Sequence, residues 1–231
     1  MIYLTGDTHG EVTRFDELFR QGEGTWTEDD VLIVTGDFGY VFFDNTMERL
    51  FLHELSTRPY TICFCDGNHE NFTALESYPV EEWNGGKVHR IRRNILHLMR
   101  GQVYEIQGKT FFVMGGAYSI DRYMRTEGFS WWSRELPTQA ECDEARTNLA
   151  AHGNEVDYIV THTAPTRAIL RLGYRPAPEE APLTGFLDQV LDSVRFKGWF
   201  FGHFHEDRDF EGRFCALLFR VVTPEESFGA E

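Results

Sequence analysis

Apolar and polar positions along the first third of the chain predict strands separated by helices. Apolar or β-branched runs at Ile2–Thr5, Val31–Thr35 and Tyr60–Cys65 each end at a turn that contains Gly or Asp, which is typical of buried strands. Between these runs, apolar residues recur at helical spacing, first at Val12, Phe15, Leu18 and Phe19 and then at Met47, Leu50, Phe51 and Leu55. Strands that alternate with helices indicate parallel βαβ units.

The middle of the chain contains short apolar runs that predict antiparallel strands instead. They are Lys87–Ile91, Ile95–Met99, Val103–Ile106 and Thr110–Met114, with a hairpin turn at Gly108-Lys109. Beyond them, helices are predicted at 138–152 and 183–194, and strands at 157–161, 198–201 and 214–222. Thr138 and Glu141 have the spacing of a capping box, which favours a helix start there. We expect a single domain over residues 1–231, with a loose tail at 223–231.

The composition indicates an ordinary globular protein whose charge disfavours polyanionic partners. Hydrophobic residues make up 42% and charged residues 26% of the chain, and 22 Lys and Arg stand against 37 Asp and Glu, which gives a formal net charge of −15. Such a charge repels phosphate backbones and anionic lipid at long range, so a general nucleic-acid or membrane-surface binder is disfavoured. A small anionic substrate remains compatible with it, because a bound metal inverts the local field.

The cysteines and the apolar runs favour a reducing compartment. The four cysteines are Cys63, Cys65, Cys142 and Cys215, and the first two, which alternate within an apolar run, are expected to be buried small hydrophobes rather than metal or redox groups. No apolar run approaches the ~20 residues of a membrane span, and the first residues lack the pattern of a secretory signal. We therefore expect a cytoplasmic protein without a membrane partner.

Ligand-type side chains follow five of the predicted strands. They occur in the segments Asp7-Thr8-His9, Gly36-Asp37, Gly67-Asn68-His69-Glu70, Thr161-His162 and Gly202-His203-Phe204-His205. Because the ligand site of a parallel α/β sheet lies outside the carboxyl ends of its strands, these loops would deliver Asp, Asn and His side chains to one place. Each segment alone is a weak signal, but five such segments at five strand ends are a strong one.

These segments, in this order and rough spacing, resemble the calcineurin-like metallophosphoesterase family over essentially the whole chain. The resemblance implies an α/β fold in which two mixed β-sheets pack as a sandwich flanked by helices, with a two-metal site at the strand ends. Carried over position by position, it assigns one cation to Asp7, His9, Asp37 and His205, and the other to Asp37, Asn68, His162 and His203.

The chemistry of the family accounts for these residue types. Oxygen and imidazole ligands suit Mn, Fe or Zn, and a carboxylate bridge can hold two divalent metal ions about 3.5–4 Å apart. Water bound between the cations loses a proton near neutral pH and attacks the phosphorus in line. His69, which is not a ligand in its motif, would donate a proton to the leaving oxygen or stabilise the charge that builds there. The predicted function is hydrolysis of a small or nucleotide-like phosphate ester by this bridging hydroxide.

One position departs from the family pattern. Many members carry an acid three residues after the bridging Asp, which orients the motif histidine, and Tyr40 occupies that position here. His69 is therefore expected to contact Tyr40, Asp44 or Asp66 instead, or none of them.

Two further features bear on specificity. The loop from Tyr118 to Pro137 carries Arg122 and Arg125, either of which can hold a phosphate oxygen that is not transferred. Its tryptophans can stack on a ring or simply cover the core, and the second role is slightly favoured. Residues 87–100 contain five basic residues and no acid, which is interpreted as a solvated strand face in preference to a contact strip for a polyanion.

Two other function classes are weighed against the phosphoesterase. A nuclease acting on RNA or DNA would use the basic strip to guide a strand, but the net charge disfavours it. A catalytically silent scaffold that binds a protein partner would have no use for His69, so the presence of this residue together with every metal position disfavours that class.

Overall fold

Two six-stranded sheets form the centre of the computed structural model, which describes residues 1–21 and 25–228. The first sheet contains β1 (Ile2–Thr5), β2 (Val31–Val34), β3 (Thr61–Phe64), β4 (Val80–Trp83), β5 (Gly86–Arg92) and β6 (Ile95–Leu98). The second contains β7 (Gln102–Ile106), β8 (Lys109–Met114), β9 (Tyr158–Thr161), β10 (Gly198–Phe201), β11 (Arg208–Phe210) and β12 (Phe214–Ala216). The helices are α1 (Arg14–Gln21), α2 (Thr46–Ser56), α3 (Phe72–Leu75), α4 (Gln139–Ala151), α5 (Thr166–Leu172), α6 (Ala181–Ser193) and α7 (Pro224–Phe228).

The first sheet is antiparallel at one edge and the second at both, and the remaining strands of each run parallel. The strand orders are β1-β2-β3-β6-β5-β4 and β11-β12-β10-β9-β8-β7. Strands β1, β2, β3 and β6 run parallel, as do β8, β9, β10 and β12. The predicted antiparallel pairs are present as β5–β6 and β7–β8, although β6 and β8 each have a parallel partner on the other side. The expected fold class, two mixed sheets flanked by helices, is confirmed.

Three apolar layers hold these elements together. The layer between the sheets joins side chains of both, such as Leu4 and Ile33 from the first sheet and Val160 and Phe200 from the second. The other two layers lie on the outer faces, under α1 and α2 on one side and under α4, α5 and α6 on the other. Burial of apolar area at about 25 cal/mol per Å² is the main stabilising contribution of these layers. With both faces covered, the strand ends are the part of each sheet left available for chemistry.

Helix α2 buries only part of the stripe that its apolar spacing predicts, namely Leu55 and in part Phe51. Met47 and Leu50 are more than half exposed, whereas Glu48, Leu52 and Leu55 are buried. The cause is the Glu48 carboxylate, which accepts hydrogen bonds of 2.6–2.9 Å from the three backbone amides at positions 42–44. Satisfying these amides rotates the polar residue inward. In the first predicted stripe, Val12 is exposed and precedes α1, and the side chain of Phe19 lies outside the described part of the chain.

The C-terminal region also differs from expectation. Strand β12 ends at Ala216 because the Asp207 carboxylate accepts hydrogen bonds from the backbone amides of residues 218–220, which removes them from a sheet ladder. Short strands β4 and β11 complete the two edges and were not predicted. Helix α7 occupies most of the segment expected to be loose, and its Phe228 ring lies 5.0 Å from that of Phe200. Residues 229–231 lie outside the described part of the chain.

Predictions that rest on short stretches of sequence agree better with the structure than the predicted face of α2 and the predicted end of β12. The capping box is present, with Thr138 Oγ1 accepting from the Glu141 amide at 3.2 Å and Glu141 accepting from the Thr138 amide at 2.6 Å. All four cysteines are buried and unpaired. In the basic strip, Lys87, Arg90 and Arg100 each pair with a carboxylate, so most of its charge is compensated within the fold. Among the described residues, no helix has the length and apolarity needed to cross a bilayer.

Candidate metal centre

The ligand-type residues converge at the carboxyl ends of five strands. Asp7 and His9 follow β1, Asp37 follows β2, Asn68 and His69 follow β3, His162 follows β9, and His203 and His205 follow β10. The first three strands belong to one sheet and the last two to the other. Face-to-face packing of the sheets brings these five ends to one place, as the sequence predicts.

Nitrogen and oxygen atoms of these side chains lie within a few ångströms of one another. Among the described residues, two groups of three have potential ligand atoms within 4.8 Å: Asp7, His9 and His205, and Asp7, Asp37 and His162. His9 Nε2 lies 3.1 Å from His205 Nε2, which is 3.2 Å from Asp7 Oδ2. His162 Nε2 lies 3.4 Å from Asp37 Oδ1. The two groups share Asp7, so the cluster is continuous.

The two carboxylates are almost completely buried. Asp7 is 2% and Asp37 is 1% exposed. Burial alone would raise the pKa of Asp37, but the charges of His162, His69 and His9 outweigh it and hold that pKa well below its usual range. Backbone amides also face the carboxylates, since the His203 amide lies 3.1 Å from Asp7 Oδ1 and the His69 amide 2.7 Å from Asp37 Oδ1. Asp37 therefore stays ionised although it is buried, and it can bind a cation.

The backbone around the centre adopts conformations that are costly for non-glycine residues. Four of the predicted ligands have positive φ, namely His9 (48°), Asp37 (46°), His203 (66°) and His205 (53°). Such left-handed geometry is uncommon outside Gly, although Asn, Asp and His adopt it more often than other residues, and it concentrates at functional sites. Gly202 and Gly67 approach the site closely, and a Cβ at either would overlap the carboxylate of Asp7 or Asp37. The backbone of these loops thus positions the side chains of the proposed ligands.

A chain of hydrogen bonds fixes the orientation of Asn68. Its Nδ2 donates to Ser119 Oγ at 3.1 Å, which turns Oδ1 toward His162 Nε2, also at 3.1 Å. The Ser119 hydroxyl donates to Glu135 Oε2 at 2.8 Å, and the guanidinium of Arg122 pairs with the other carboxylate oxygen of Glu135. On the opposite side, His162 Nδ1 lies 2.9 Å from the Thr35 carbonyl, an acceptor that places the hydrogen on Nδ1.

This donor set fits divalent cations. Carboxylate, amide and imidazole donors converge without any thiolate, which is the ligand chemistry of Mn, Fe or Zn. Two nearly buried carboxylates a few ångströms apart need positive charge nearby. The second-sphere contacts of His162 and Asn68 are of the kind that orient metal ligands.

His69 lies beside the cluster and contacts an arginine. The three residues considered as its partners are engaged elsewhere: the Tyr40 hydroxyl donates to the Glu11 carbonyl, Asp44 pairs with Arg49, and Asp66 pairs with Arg100 and His97. None of the three is a partner of His69 in the described structure.

The neighbour of His69 is Arg125. Its guanidinium nitrogens lie 3.0 Å from His69 Nδ1 and 3.3 Å from Nε2, and Asp121 holds it at 2.7 Å. Burial, together with the charge of Arg125, lowers the pKa of His69 in spite of the opposing charge of Asp37. The sequence placed Arg125 near substrate but gave no signal for this contact, because it joins segments 56 residues apart.

Arg122 has a different environment from the one expected of a substrate-binding residue. Its guanidinium pairs with Glu135 and lies over the rings of Tyr118 and Trp131, with centroid distances of 4.1 and 4.4 Å. Trp132 is buried and donates from Nε1 to Thr73 Oγ1 at 3.0 Å. The arginine and both tryptophans therefore stabilise the loop, and the role of covering the core holds for Trp132.

A cavity of about 350 Å³ opens on the cluster. It is lined by Asp37, Asn68, His69, His203 and His205 on one side and by residues of two loops, 118–121 and 174–180, on the other. The second loop, with Tyr174 and Arg175, was not singled out from the sequence. Its only signal was its overlap with a Pro-rich stretch at 176–182.

Comparison with known proteins identifies one family. A family model described as calcineurin-like phosphoesterase matches residues 1–207. A search of curated proteins gave no match.

Two solved structures resemble the chain at low sequence identity. One, a candidate 5′-nucleotidase from Staphylococcus aureus crystallised with α-ketoglutarate, is 12% identical, with 93% of this chain and 48% of that chain covered and a TM-score of 0.48. This chain thus spans about half the length of that protein. The other, the phosphopantetheinyl hydrolase PptH from Mycobacterium tuberculosis, is 18% identical, with 94% and 89% covered and a TM-score of 0.42.

Proposed function

The chain belongs to the calcineurin-like phosphoesterase family, and from that premise we propose that it is a metal-dependent phosphoesterase that hydrolyses a small phosphate ester. The observation that carries the proposal is the convergence of carboxylate, amide and imidazole ligands at five strand ends, with His69 beside them. The positive φ of four proposed ligands also supports the proposal, because such backbone conformations concentrate at functional sites.

The proposed ligands divide into two sets that share Asp37. One cation would be held by Asp7, His9, Asp37 and His205, and the other by Asp37, Asn68, His162 and His203. When bound, the two cations, of Mn, Fe or Zn, supply positive charge for the phosphoryl oxygens and lower the pKa of a water molecule. The charge of the buried Asp37 carboxylate, close to both groups of ligands, suits it to the shared position.

The other residues of the site are proposed to move a proton, to bind the phosphate and to support the loop. His69 is proposed to donate a proton to the leaving oxygen or to stabilise the charge that builds there, because it lines the cavity beside the ligands without belonging to them. Its lowered pKa favours the neutral ring, which suits the second role. Arg125 is proposed to hold a phosphate oxygen next to His69, which would replace the His69 ring as the partner of its planar pair of donors. Arg122 was expected to share this role, but its pairing with Glu135 favours a supporting one.

The apolar layer between the sheets supports the proposal that both belong to one domain. A cytoplasmic location stays a prediction.

A metal-reconstitution assay tests the function. Protein stripped with a chelator is reloaded with Mn²⁺, Fe²⁺ or Zn²⁺ and assayed on aryl phosphomonoesters, aryl phosphodiesters, cyclic nucleotides and short oligonucleotides. We expect turnover of at least one class of small ester, loss of that turnover on stripping, and weak dependence on salt.

Two outcomes of the assay would contradict the proposal. Steeply salt-dependent cleavage of oligonucleotides with poor turnover of small esters would point to a nuclease, although the ion pairs of the basic strip count against one. Absence of turnover with every metal and substrate would point to the scaffold.

Ser119→Ala should weaken binding of the cation that Asn68 is proposed to hold. The variant removes the hydroxyl that orients the Asn68 amide and leaves every proposed ligand in place. We expect affinity for that cation to fall about 10–100-fold, with a smaller change for the other, as measured by metal titration of the stripped protein. Ser133→Ala, an exposed serine of the same loop, is the control. Equal affinities in the two variants would remove Ser119 from this role.

A further inference from the structure

An aromatic face extends outward from the proposed metal centre. The ring of Phe204 lies 5.1 Å from that of His203, and the ring of Tyr174 lies 5.4 Å from that of Phe204. All three line the cavity. Tyr174 is 41% exposed, so part of its ring is open to a ligand. None of the steps proposed above uses this face, which we define as Phe204 and Tyr174.

The fold holds Tyr174 in one position. Helix α5 ends in a Schellman motif, in which the Tyr174 amide donates to the Ile169 carbonyl at 3.2 Å and the Gly173 amide to the Leu170 carbonyl at 3.1 Å. Gly173 has a φ of 97°, which a residue with a Cβ rarely adopts. The Tyr174 hydroxyl donates to Glu206 Oε1 at 2.6 Å. With both backbone and hydroxyl fixed, the ring is ordered before any ligand arrives.

The surroundings of the face suit an anionic ligand with an apolar part. Arg175 follows Tyr174 and lines the same cavity. Its neighbour Arg171 pairs with Glu211, whereas no ion pair of the described residues involves Arg175. A free cation at the cavity offsets the repulsion of an anion by a chain of net charge −15. Across the cavity, Ile120 is 77% exposed and offers a second apolar contact.

The other aromatic residues near the site are less available. Arg122 covers a face of Tyr118 and of Trp131, and Trp132 is buried. The exposed rings of Tyr123 and Phe129 do not line the cavity. Tyr174 is thus the ring that combines exposure, rigidity and continuity with a proposed metal ligand.

We infer that the face of Phe204 and Tyr174 binds a planar ring of the substrate, so that the enzyme prefers phosphate esters that carry an aromatic group close to the phosphorus. This inference rests on the proposed function, because it assumes that the phosphate sits at the metal centre. A pre-ordered aromatic side chain gains ring contacts at little entropic cost, and such contacts favour an aromatic ring over an aliphatic one of the same size.

The test compares phenyl phosphate with cyclohexyl phosphate, which are similar in size. The measured quantity is the ratio of their kcat/KM values in wild type, Tyr174→Leu and Tyr174→Phe. Intrinsic leaving-group reactivity is the same for every variant and cancels when these ratios are compared. We expect Tyr174→Leu to lower the phenyl preference about 3- to 10-fold, mainly by raising KM for phenyl phosphate, while Tyr174→Phe keeps most of it. Tyr123→Leu, at an exposed ring outside the cavity, should leave the ratio unchanged.

Failure of the inference and failure of the proposed function give different results. If wild type turns over small esters but Tyr174→Leu affects the two substrates equally or not at all, the inference is wrong and the function stands. If wild type turns over neither, the function fails for these esters, and binding of phenylphosphonate and cyclohexylphosphonate to the metal-loaded protein is measured instead. Tighter binding of phenylphosphonate that Tyr174→Leu abolishes would support the face, and equal binding of the two would overturn it.

Discussion

Asp37→Asn should nearly abolish turnover and release at least one cation. The carboxylate is the proposed shared ligand, and its replacement by a neutral amide removes the negative charge that would hold two cations close together. We expect turnover to fall roughly 10³-fold or more, because loss of a single preorganised charge-stabilising group already costs about 10²–10³. The metal content, measured by elemental analysis after dialysis, should fall from two ions to one or none.

The structure makes this substitution a clean test of charge. Asp37 has a φ of 46°, and Asn is among the few residues that adopt such a conformation readily. The retained Oδ1 can still accept from the His69 amide, as it does now at 2.7 Å. Asp44→Asn makes the same chemical change at another positive-φ position, which is exposed and pairs with Arg49 rather than with a proposed ligand, and serves as the control. Two tightly bound ions with a normal rate in Asp37→Asn would defeat the binuclear proposal.

Removal of the metal ions provides a second test of the binuclear proposal. Cations that bind the folded chain and not the unfolded chain raise the apparent stability, so the stripped protein should melt at a lower temperature than the loaded one. In Asp37→Asn this difference should shrink, because fewer ions bind.

The fold was predictable where local pattern and tertiary packing agree. Strands such as Val31–Val34 are buried on both faces and appear as unbroken apolar runs. The capping box at Thr138 needs only residues within one turn. Helix α2 was misjudged because its orientation is decided by Glu48 and the backbone of the preceding loop, and an apolar pattern carries no information about a buried carboxylate. The end of β12 was missed for the same kind of reason, since Asp207 takes its amides.

The candidate site was predictable to the extent that it lies on strand ends. Residues such as Asp7 and Asp37 follow parallel strands, and their convergence is a property of the sheet. The residues that surround them come from irregular loops without periodicity. The contact between Ser119 and Asn68 spans 51 residues, and the one between Tyr174 and Glu206 spans 32. Contacts of this kind depend on the packed loops and leave no mark in the spacing of residue types.

The replacement of the usual acid by Tyr40 illustrates that limit. The sequence indicates that the histidine partner is missing at this position but not what takes its place. Tyr40 is buried and directs its hydroxyl to the Glu11 carbonyl, while Arg125 reaches His69 from a different loop. A cation beside the ring favours its neutral form, in the direction in which the pKa of His69 is lowered.

His69→Ala should lower kcat without changing metal content. The side chain lies outside the proposed ligand set, and the backbone amide that donates to Asp37 is retained in the variant. If proton donation to the leaving oxygen limits the rate, kcat should fall about 10²–10⁴-fold. His53→Ala, an exposed histidine of α2, is the matched control and should leave kcat and metal content at their wild-type values.

The dependence on leaving group decides between proton donation and simple binding by His69. A nitrophenolate ion leaves without protonation, so the loss caused by His69→Ala should shrink for nitrophenyl esters and be largest for alkyl esters. A residue that only contacts the phosphate would instead affect all esters alike and act mainly on KM, which is the behaviour expected of Arg125→Ala. An equal loss of kcat for good and poor leaving groups in His69→Ala would therefore remove His69 from the acid role. Loss of metal in that variant would indicate that His69 is itself a metal ligand.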